Sequence, residues 1–459
     1  MKRWQALLKG DWHPNRMGAA ERMRRIRTFV RRQVSDIRRG GWPVLLWKGR
    51  MVLEVILAVP LVFLARLVRP VVAIRFGGLP CEGIGTLAGD MEVYLCERDA
   101  GLHGRWAYDV FCCSLPVCNQ QLKMMWERVV HVSRFARSLE RLNRWVPGGQ
   151  GNRMLWRKHQ HRDIHNLLAR TKPHLSFTAE EEQRGFALLR QLGVPDGAPF
   201  VCFHDRDSAY DAAWFREGTR KEGARKLVNN RHRNADIRTY LPAVQELVRR
   251  GYLAIRMGAV VESSLPISDP RIIDYAATAR TDFLDIFLCA HCRFYLGTGS
   301  GLVIVPMIFR RPTIMTNELP LEHLSSWNPY DLLLPKLYWL RSERRFLTFR
   351  EVIKSGVGRF LRAEQYEQQG LELINNTSEE ILAVAIEMDE RLKGTWQTTE
   401  EDEALQRQFW ALFQSSPYHG VIRSRIGAEF LRQHRALLDE DGRRALSTTS
   451  RHGEVSQYA

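Results

Sequence analysis

Phe294-Tyr295-Leu296-Gly297-Thr298-Gly299-Ser300-Gly301-Leu302 runs an apolar strand into a loop of small residues and then into a segment, Leu302 to Phe309, with helical patterning. A strand emptying through a short loop into a helix is the repeating step of a parallel α/β sheet. The same junction can hold an anion. Glycines let the backbone approach closely, the Thr298 and Ser300 hydroxyls can donate, and the free N–H groups of a helix start favour negative charge. The spacing is neither GxGxxG nor GxxxxGK[ST], so it carries no hydride-transfer or ATPase fingerprint. Small residues also serve tight turns for purely local reasons. The flanking sequence therefore decides the reading.

Outward from this loop, strands and helices alternate. Phe200 to His204, Tyr252 to Met257, Ile272 to Tyr275, Cys292 to Leu296 and Thr313 to Thr316 read as strands, with helices over Ile237 to Arg250, Phe283 to Ala290 and Leu302 to Phe309. An earlier series begins with strand Val71 to Phe76, a glycine-rich turn through Gly77, Gly78, Gly83 and Gly85, and a helix over Thr86 to Glu97. A second strand, Tyr108 to Cys113, and a helical region, 119 to 145, come after it. Such alternation predicts parallel sheets covered on both faces and, because it occurs twice, two Rossmann-like domains. The expected organisation is a basic arm with an apolar helix at 1–69, a first Rossmann-like domain at 70–195, a second at 196–345, a helical region at 346–442 and a disordered tail at 443–459.

The 459 residues suffice for such an architecture, and 45% of them are hydrophobic. The net charge of +17 is concentrated: residues 1 to 50 hold 14 Lys and Arg against Asp11, Glu21 and Asp36. The basic segment gives way to Trp42-Pro43-Val44-Leu45-Leu46-Trp47 and then to Met51 to Val68, in which only Glu54 and Arg66 are charged. The stretch is marginal as a membrane span, which needs about 20 predominantly apolar residues, and it starts too late for an ordinary secretion signal. A basic, Trp-flanked apolar segment fits an anionic membrane surface, by peripheral attachment or a single N-terminal anchor, on the cytoplasmic face of an inner membrane. Nucleic acid is not the expected partner, because the aromatic residues are not interleaved with the cations as stacking platforms. Eight cysteines form no spaced framework and read as small buried residues of a reducing compartment.

In an open parallel sheet, ligands bind beyond the carboxyl ends of the strands. Here those ends carry His204-Asp205-Arg206-Asp207, then Arg256-Met257-Gly258, Asp274-Tyr275, Thr298-Gly299-Ser300-Gly301, and Asn317-Glu318. Arg206 and Arg256 beside a hydroxyl-rich loop make a diphosphate site, since guanidinium grips phosphate bidentately. Tyr275 is placed to meet a base or ribose, and Asn317 closes the set. The segment Asn230-Arg231-His232-Arg233-Asn234-Ala235-Asp236 reads either as a phosphate-facing loop or as a helix start capped by Asp236.

The chain resembles a family of bacterial glycosyltransferases found around surface-polysaccharide and lipopolysaccharide genes. The resemblance lies in Gly83-Ile84-Gly85-Thr86-Leu87-Ala88 with Tyr94 and Leu95, Pro116-Val117-Cys118-Asn119-Gln120-Gln121-Leu122, His204-Asp205-Arg206-Asp207-Ser208-Ala209-Tyr210, and Arg233-Asn234-Ala235-Asp236-Ile237 with Tyr240. It continues in Arg256-Met257-Gly258, Gly297 to Leu302 and Ile426-Gly427-Ala428-Glu429-Phe430-Leu431. It covers roughly residues 70 to 440. The family's first loop usually reads Arg-Ile-Gly-His, and here Gly83 and Thr86 stand at its ends. The resemblance implies the two-domain GT-B architecture and transfer of a sugar from a nucleotide-diphosphate donor to a cell-surface glycan or lipid-linked acceptor. On this reading Arg206, Arg256 and the 298–301 loop neutralise the departing diphosphate, so no metal and no cofactor beyond the nucleotide sugar are expected. Glu82 and Asp90, the carboxylates nearest the first glycine loop, are the candidate general bases. The alternatives are a nucleotide-sugar-processing enzyme of another kind and a non-catalytic nucleotide-binding or scaffold protein at the membrane.

Overall fold

The computed structural model describes residues 19–104, 106–113, 116–154, 156–157, 160–216, 230–413 and 416–438. The first 18 residues of the basic arm and the tail expected at 443–459 lie outside them. The chain is α/β with parallel strands, as expected, and its contacts gather into two units that cut across the sequence. One unit comprises residues 1–78, 105–113 and 130–155, the other 79–104, 114–129 and 156–459.

In the first unit, β1 (Ala73–Leu79), β2 (Ala107–Cys113) and β3 (His131–Val132) form a three-stranded sheet in that order, with β2 and β3 parallel. A long helix, Ala19–Leu67, precedes it and is kinked at Gly41, whose φ of 61° only glycine adopts readily. Ala58, Val62 and Ala65 pack from this helix onto Phe76 and Leu139. Its end is tied by the Arg66 guanidinium, which donates to Asn143 Oδ1 at 3.0 Å and to the carbonyls of Val146 and Pro147 at 3.0 and 2.9 Å.

The second unit is built on a seven-stranded sheet. Its members are β4 (Phe200–His204), β5 (Leu253–Arg256), β6 (Ile272–Ile273), β7 (Tyr295–Thr298), β8 (Thr313–Glu318) and β9 (Leu332–Pro335). A separate antiparallel ribbon holds β10 (Leu337–Leu340), β11 (Arg345–Phe346) and β12 (Leu371–Ile374), and the large sheet is completed by β13 (Arg425–Ile426). The order across the large sheet is β13-β9-β8-β7-β4-β5-β6, and every pairing is parallel. Counted by appearance, six strands lie third, second, first, fourth, fifth and sixth. This is the doubly wound dinucleotide-fold order, whose direction of winding reverses between β4 and β7. The middles of the inner strands are apolar, as in a parallel sheet covered on both faces: Val201, Cys202, Phe203, Ala254, Ile255 and Leu296 are all fully buried, while Arg256, Asn317 and Glu318 stand at carboxyl ends.

Cys96, Cys112, Cys202, Cys289 and Cys292 are buried free thiols, as the sequence suggests, whereas Cys81 and Cys113 are disulfide-bonded. The region after 346, expected to be mostly helical, also supplies β12 and β13.

Candidate active site

The reversal between β4 and β7 leaves a crevice at their carboxyl ends, and there the second unit holds a cavity of about 540 Å³. Its walls come from two glycine loops and from the chain following β4 and β8. Gly83-Ile84-Gly85-Thr86 and Gly299-Ser300-Gly301 form one side; His204 to Asp207, Arg233, Glu318 and Trp327 form others. The two loops touch backbone to backbone. A Cβ at Gly85 would meet Gly301 Cα at 2.8 Å, and a Cβ at Gly301 would meet Gly85 N at 3.0 Å. Two segments more than 200 positions apart can approach this closely because neither carries a side chain.

Several buried polar atoms at this cavity have no hydrogen-bond partner: Asp205 Oδ1, Arg206 Nε, Glu318 Oε1 and Trp327 Nε1. A buried polar group left unpaired costs about 1–3 kcal/mol, so such a cluster marks a place where a ligand's polar atoms belong. Burial pushes the Glu318 carboxyl up to about 7 against the pull of Arg233 and Arg162, and it pushes Asp205 up to about 7 against Arg256. Both groups can therefore exchange a proton near neutral pH.

The cations fall into two groups. Arg206 pairs with Asp211 at 2.5 Å, and Arg280 pairs with Asp285 at 2.8 Å. Arg233 donates to the Gly299 carbonyl at 2.7 Å, and the fully buried Arg162 donates to the carbonyls of His323, Leu324 and Tyr418 at 2.5, 2.7 and 2.8 Å. Neither Arg233 nor Arg162 is in an ion pair with a carboxylate among the described residues. Burial lowers both to about 10, which leaves them charged.

Of the residues singled out in the sequence, Arg206, Gly299, Ser300 and Gly301 line the cavity. Thr298, next to Gly299 in the chain, is buried outside the lining, its Oγ1 without a partner. Arg256 does not line it. That side chain is only 1% exposed, donates to the Ser263 carbonyl at 2.6 Å and lies 3.5 Å from Asp274 and 3.9 Å from Asp205, so it supports Asp205 from beneath. Tyr275 is likewise buried, its hydroxyl 2.9 Å from both the Thr281 carbonyl and Asp285 Oδ1, which share its one proton. Asn317 exchanges hydrogen bonds with Asn376, each backbone N–H donating to the other's Oδ1, and is spent on joining β8 to the chain after β12. Glu82 is exposed outside the cavity lining. Asp90 is also outside it but meets His161 Nδ1 at 3.3 Å, and His161 is in the wall.

The helix expected from Leu302 to Phe309 shrinks to Ile304–Ile308, and Ser300 Oγ accepts from Leu302 N at 3.3 Å. One turn of helix has little dipole to offer, so positive charge for an anion must come from arginines. In the 230–236 segment Arg233 lines the cavity, and Asp236 caps the next helix by accepting from Arg238 N at 2.9 Å. Arg162 and Trp327 come from irregular chain with no motif to announce them.

Elsewhere in this unit, Glu92, Cys96 and His174 bring potential ligand atoms within 4.8 Å of one another. A cation is already present there, the Arg310 guanidinium, 2.6 Å from Glu92 Oε1.

No protein-family model matches the chain, and no curated protein matches it. Among solved structures it is similar to the Escherichia coli ADP-heptose lipopolysaccharide heptosyltransferase II, with TM-score 0.31 and 11% identity over 54% of this chain and 86% of that one. It is also similar to a family 9 glycosyl transferase from Veillonella parvula, with TM-score 0.39 and 12% identity over 70% and 97%. The iron-containing dodecameric glycosyltransferase TibC of enterotoxigenic E. coli gives TM-score 0.29 and 12% identity over 54% and 60%. Likeness this slight transfers neither a residue nor an activity.

Proposed function

We propose that the chain is a glycosyltransferase of GT-B type that moves a sugar from a nucleotide-diphosphate donor to a glycan or lipid-linked hydroxyl. The observation that carries this reading is the cavity at the winding reversal of the parallel sheet, lined by a glycine-rich loop, by Arg233 without a carboxylate partner and by unpartnered buried polar atoms. Dinucleotide-fold sheets bind nucleotides at this point, and a cavity-lining guanidinium outside any ion pair is suited to grip a diphosphate. The motif resemblance along residues 70 to 440 supports the same class.

In the proposed reaction the acceptor oxygen attacks the anomeric carbon, the bond from that carbon to the diphosphate breaks, and the acceptor proton passes to a base. Arg233 and Arg206 neutralise the charge that collects on the diphosphate. This is the task a divalent metal would otherwise perform. Asp207 is committed to the backbone N–H groups of Ala209 and Glu262, each at 2.8 Å, and Asp205 lies over Arg256, so the two do not act together as a metal-binding pair. Glu318 and Asp205 are the proton-transfer groups of the cavity, with His161, positioned by Asp90, beside the first glycine loop.

The test is thermal unfolding of the full-length protein with UDP, GDP, CMP, ADP or dTDP. A ligand at a hundred times its Kd stabilises by about 2.7 kcal/mol. One nucleotide should raise Tm, and Arg233→Ala should lose about 2 kcal/mol or more of its binding. No shift with any nucleotide would refute the donor site.

A further inference from the structure

The long helix Ala19–Leu67 carries a surface that sugar transfer does not use. Ala58, Val62 and Ala65 face inward, onto Phe76 and Leu139. Leu53, Ile56, Leu57, Phe63, Leu64 and Leu67 point outward, each more than half exposed. At about 100° per residue these two sets fall on opposite arcs of the helix. The helix is thus apolar on the side it packs and on the side it does not. Singly exposed apolar residues are ordinary, whereas a continuous row of bulky ones marks a site of interaction.

Charge identifies the occupant. Residues 1 to 50 bring 14 Lys and Arg against three acids, immediately before the apolar half. Arg38 and Arg50 are exposed, and Trp42, 69% exposed, stands where the basic half meets the apolar one. A second copy seated on this face would bring two such basic segments together. An anionic lipid surface offers the opposite: acyl chains for the leucines, phosphates for the cations and a polar boundary for the indole. Among the described residues no helix is long and apolar enough to cross a membrane, and Pro43 and Pro60 interrupt this one.

We propose that the outward face from Leu53 to Leu67 lies in the headgroup–acyl boundary of an anionic bilayer, embedded along its length, with the preceding basic segment held by lipid phosphates.

Sedimentation of the full-length protein with vesicles tests this. The protein should pellet with vesicles of phosphatidylcholine mixed with phosphatidylglycerol, and at least about tenfold less with phosphatidylcholine alone. The variant Ile56→Glu/Leu57→Glu/Leu64→Glu should lose binding to the same degree, because it puts three carboxylates into the outward apolar row and leaves the packed row intact. Circular-dichroism melting at the parental Tm certifies that it is folded, and the single Leu57→Glu substitution serves in its place if it melts early. Parent protein left in the supernatant with anionic vesicles, or a folded variant that binds as well as the parent, would overturn the proposal. So would a lipid-free dimer, seen by sedimentation velocity, that the variant abolishes, because it would assign the face to a second copy.

Discussion

Glu318 shows how much a residue's chemistry depends on what surrounds it. As a strand-end glutamate it was visible in the sequence, but its elevation to about 7 is a product of burial, opposed by Arg233 and Arg162. Between pH 4.5 and 7 the native carboxyl keeps a proton that the unfolded chain has lost, so this group makes the protein less stable as pH rises through that window. Glu318→Gln removes the dependence. Relative to the parent, the variant should gain on the order of 2 kcal/mol between pH 4.5 and 8, measured by urea unfolding at both ends. A difference that does not move with pH would count against the protonated state. Arg256, read from the sequence together with Arg206 as a diphosphate ligand, and Arg233 part company in the same way. Arg256→Ala should destabilise the fold by about 3 kcal/mol, because it strips the cation from beside Asp205 and Asp274. Any folded remainder should still bind nucleotide, whereas Arg233→Ala should show the reverse pattern in the same melts. Sequence alone could not rank them: Arg256 ends a strand and Arg233 sits in a segment with two readings, and only packing shows which one faces the cavity.

Elements were read most accurately where periodicity was strong and least where a few residues sufficed. β4 and β7 carry short apolar runs, Phe200 to Phe203 and Phe294 to Leu296, and with β8 they stand close to where the pattern puts them. β9 and β13, of four and two residues, extend the sheet beyond β8 but are too short to show a period. The helix over Thr86 to Glu97 exists, but it opens as a π turn, Thr86–Asp90, before continuing as α-helix to Asp99. The glycines of the two loops lining the cavity are explained by each other. Gly85→Ala would press its methyl against the Gly301 backbone, which cannot swing away as a side chain can. The substitution should cost about 1–3 kcal/mol in unfolding experiments and weaken nucleotide binding with it. Unchanged stability and binding would mean the two loops are not in contact.

At the scale of the molecule, the α/β class and the parallel sheet were legible because alternation is a global signal that survives errors at individual boundaries. The allocation of chain to units was not, because long-range contacts leave no local mark. If the cavity is the donor site, hydrogen exchange with the stabilising nucleotide bound should slow in residues 83–86, 204–211, 231–234 and 299–303 together, and remain unchanged on the outward face of the helix ending at Leu67. Protection confined to one of those segments would place the ligand elsewhere. The pairing of Gly85 with Gly301 has a further consequence for how this protein can be taken apart. A fragment that starts after residue 129 keeps the whole seven-stranded sheet yet discards one wall of its cavity, and a fragment that stops before residue 290 keeps that wall and loses the loop it rests on. The site is therefore not a cassette. It cannot be cloned, swapped or inherited as one short piece of this chain, and only an exchange spanning both loops would carry its specificity to another protein.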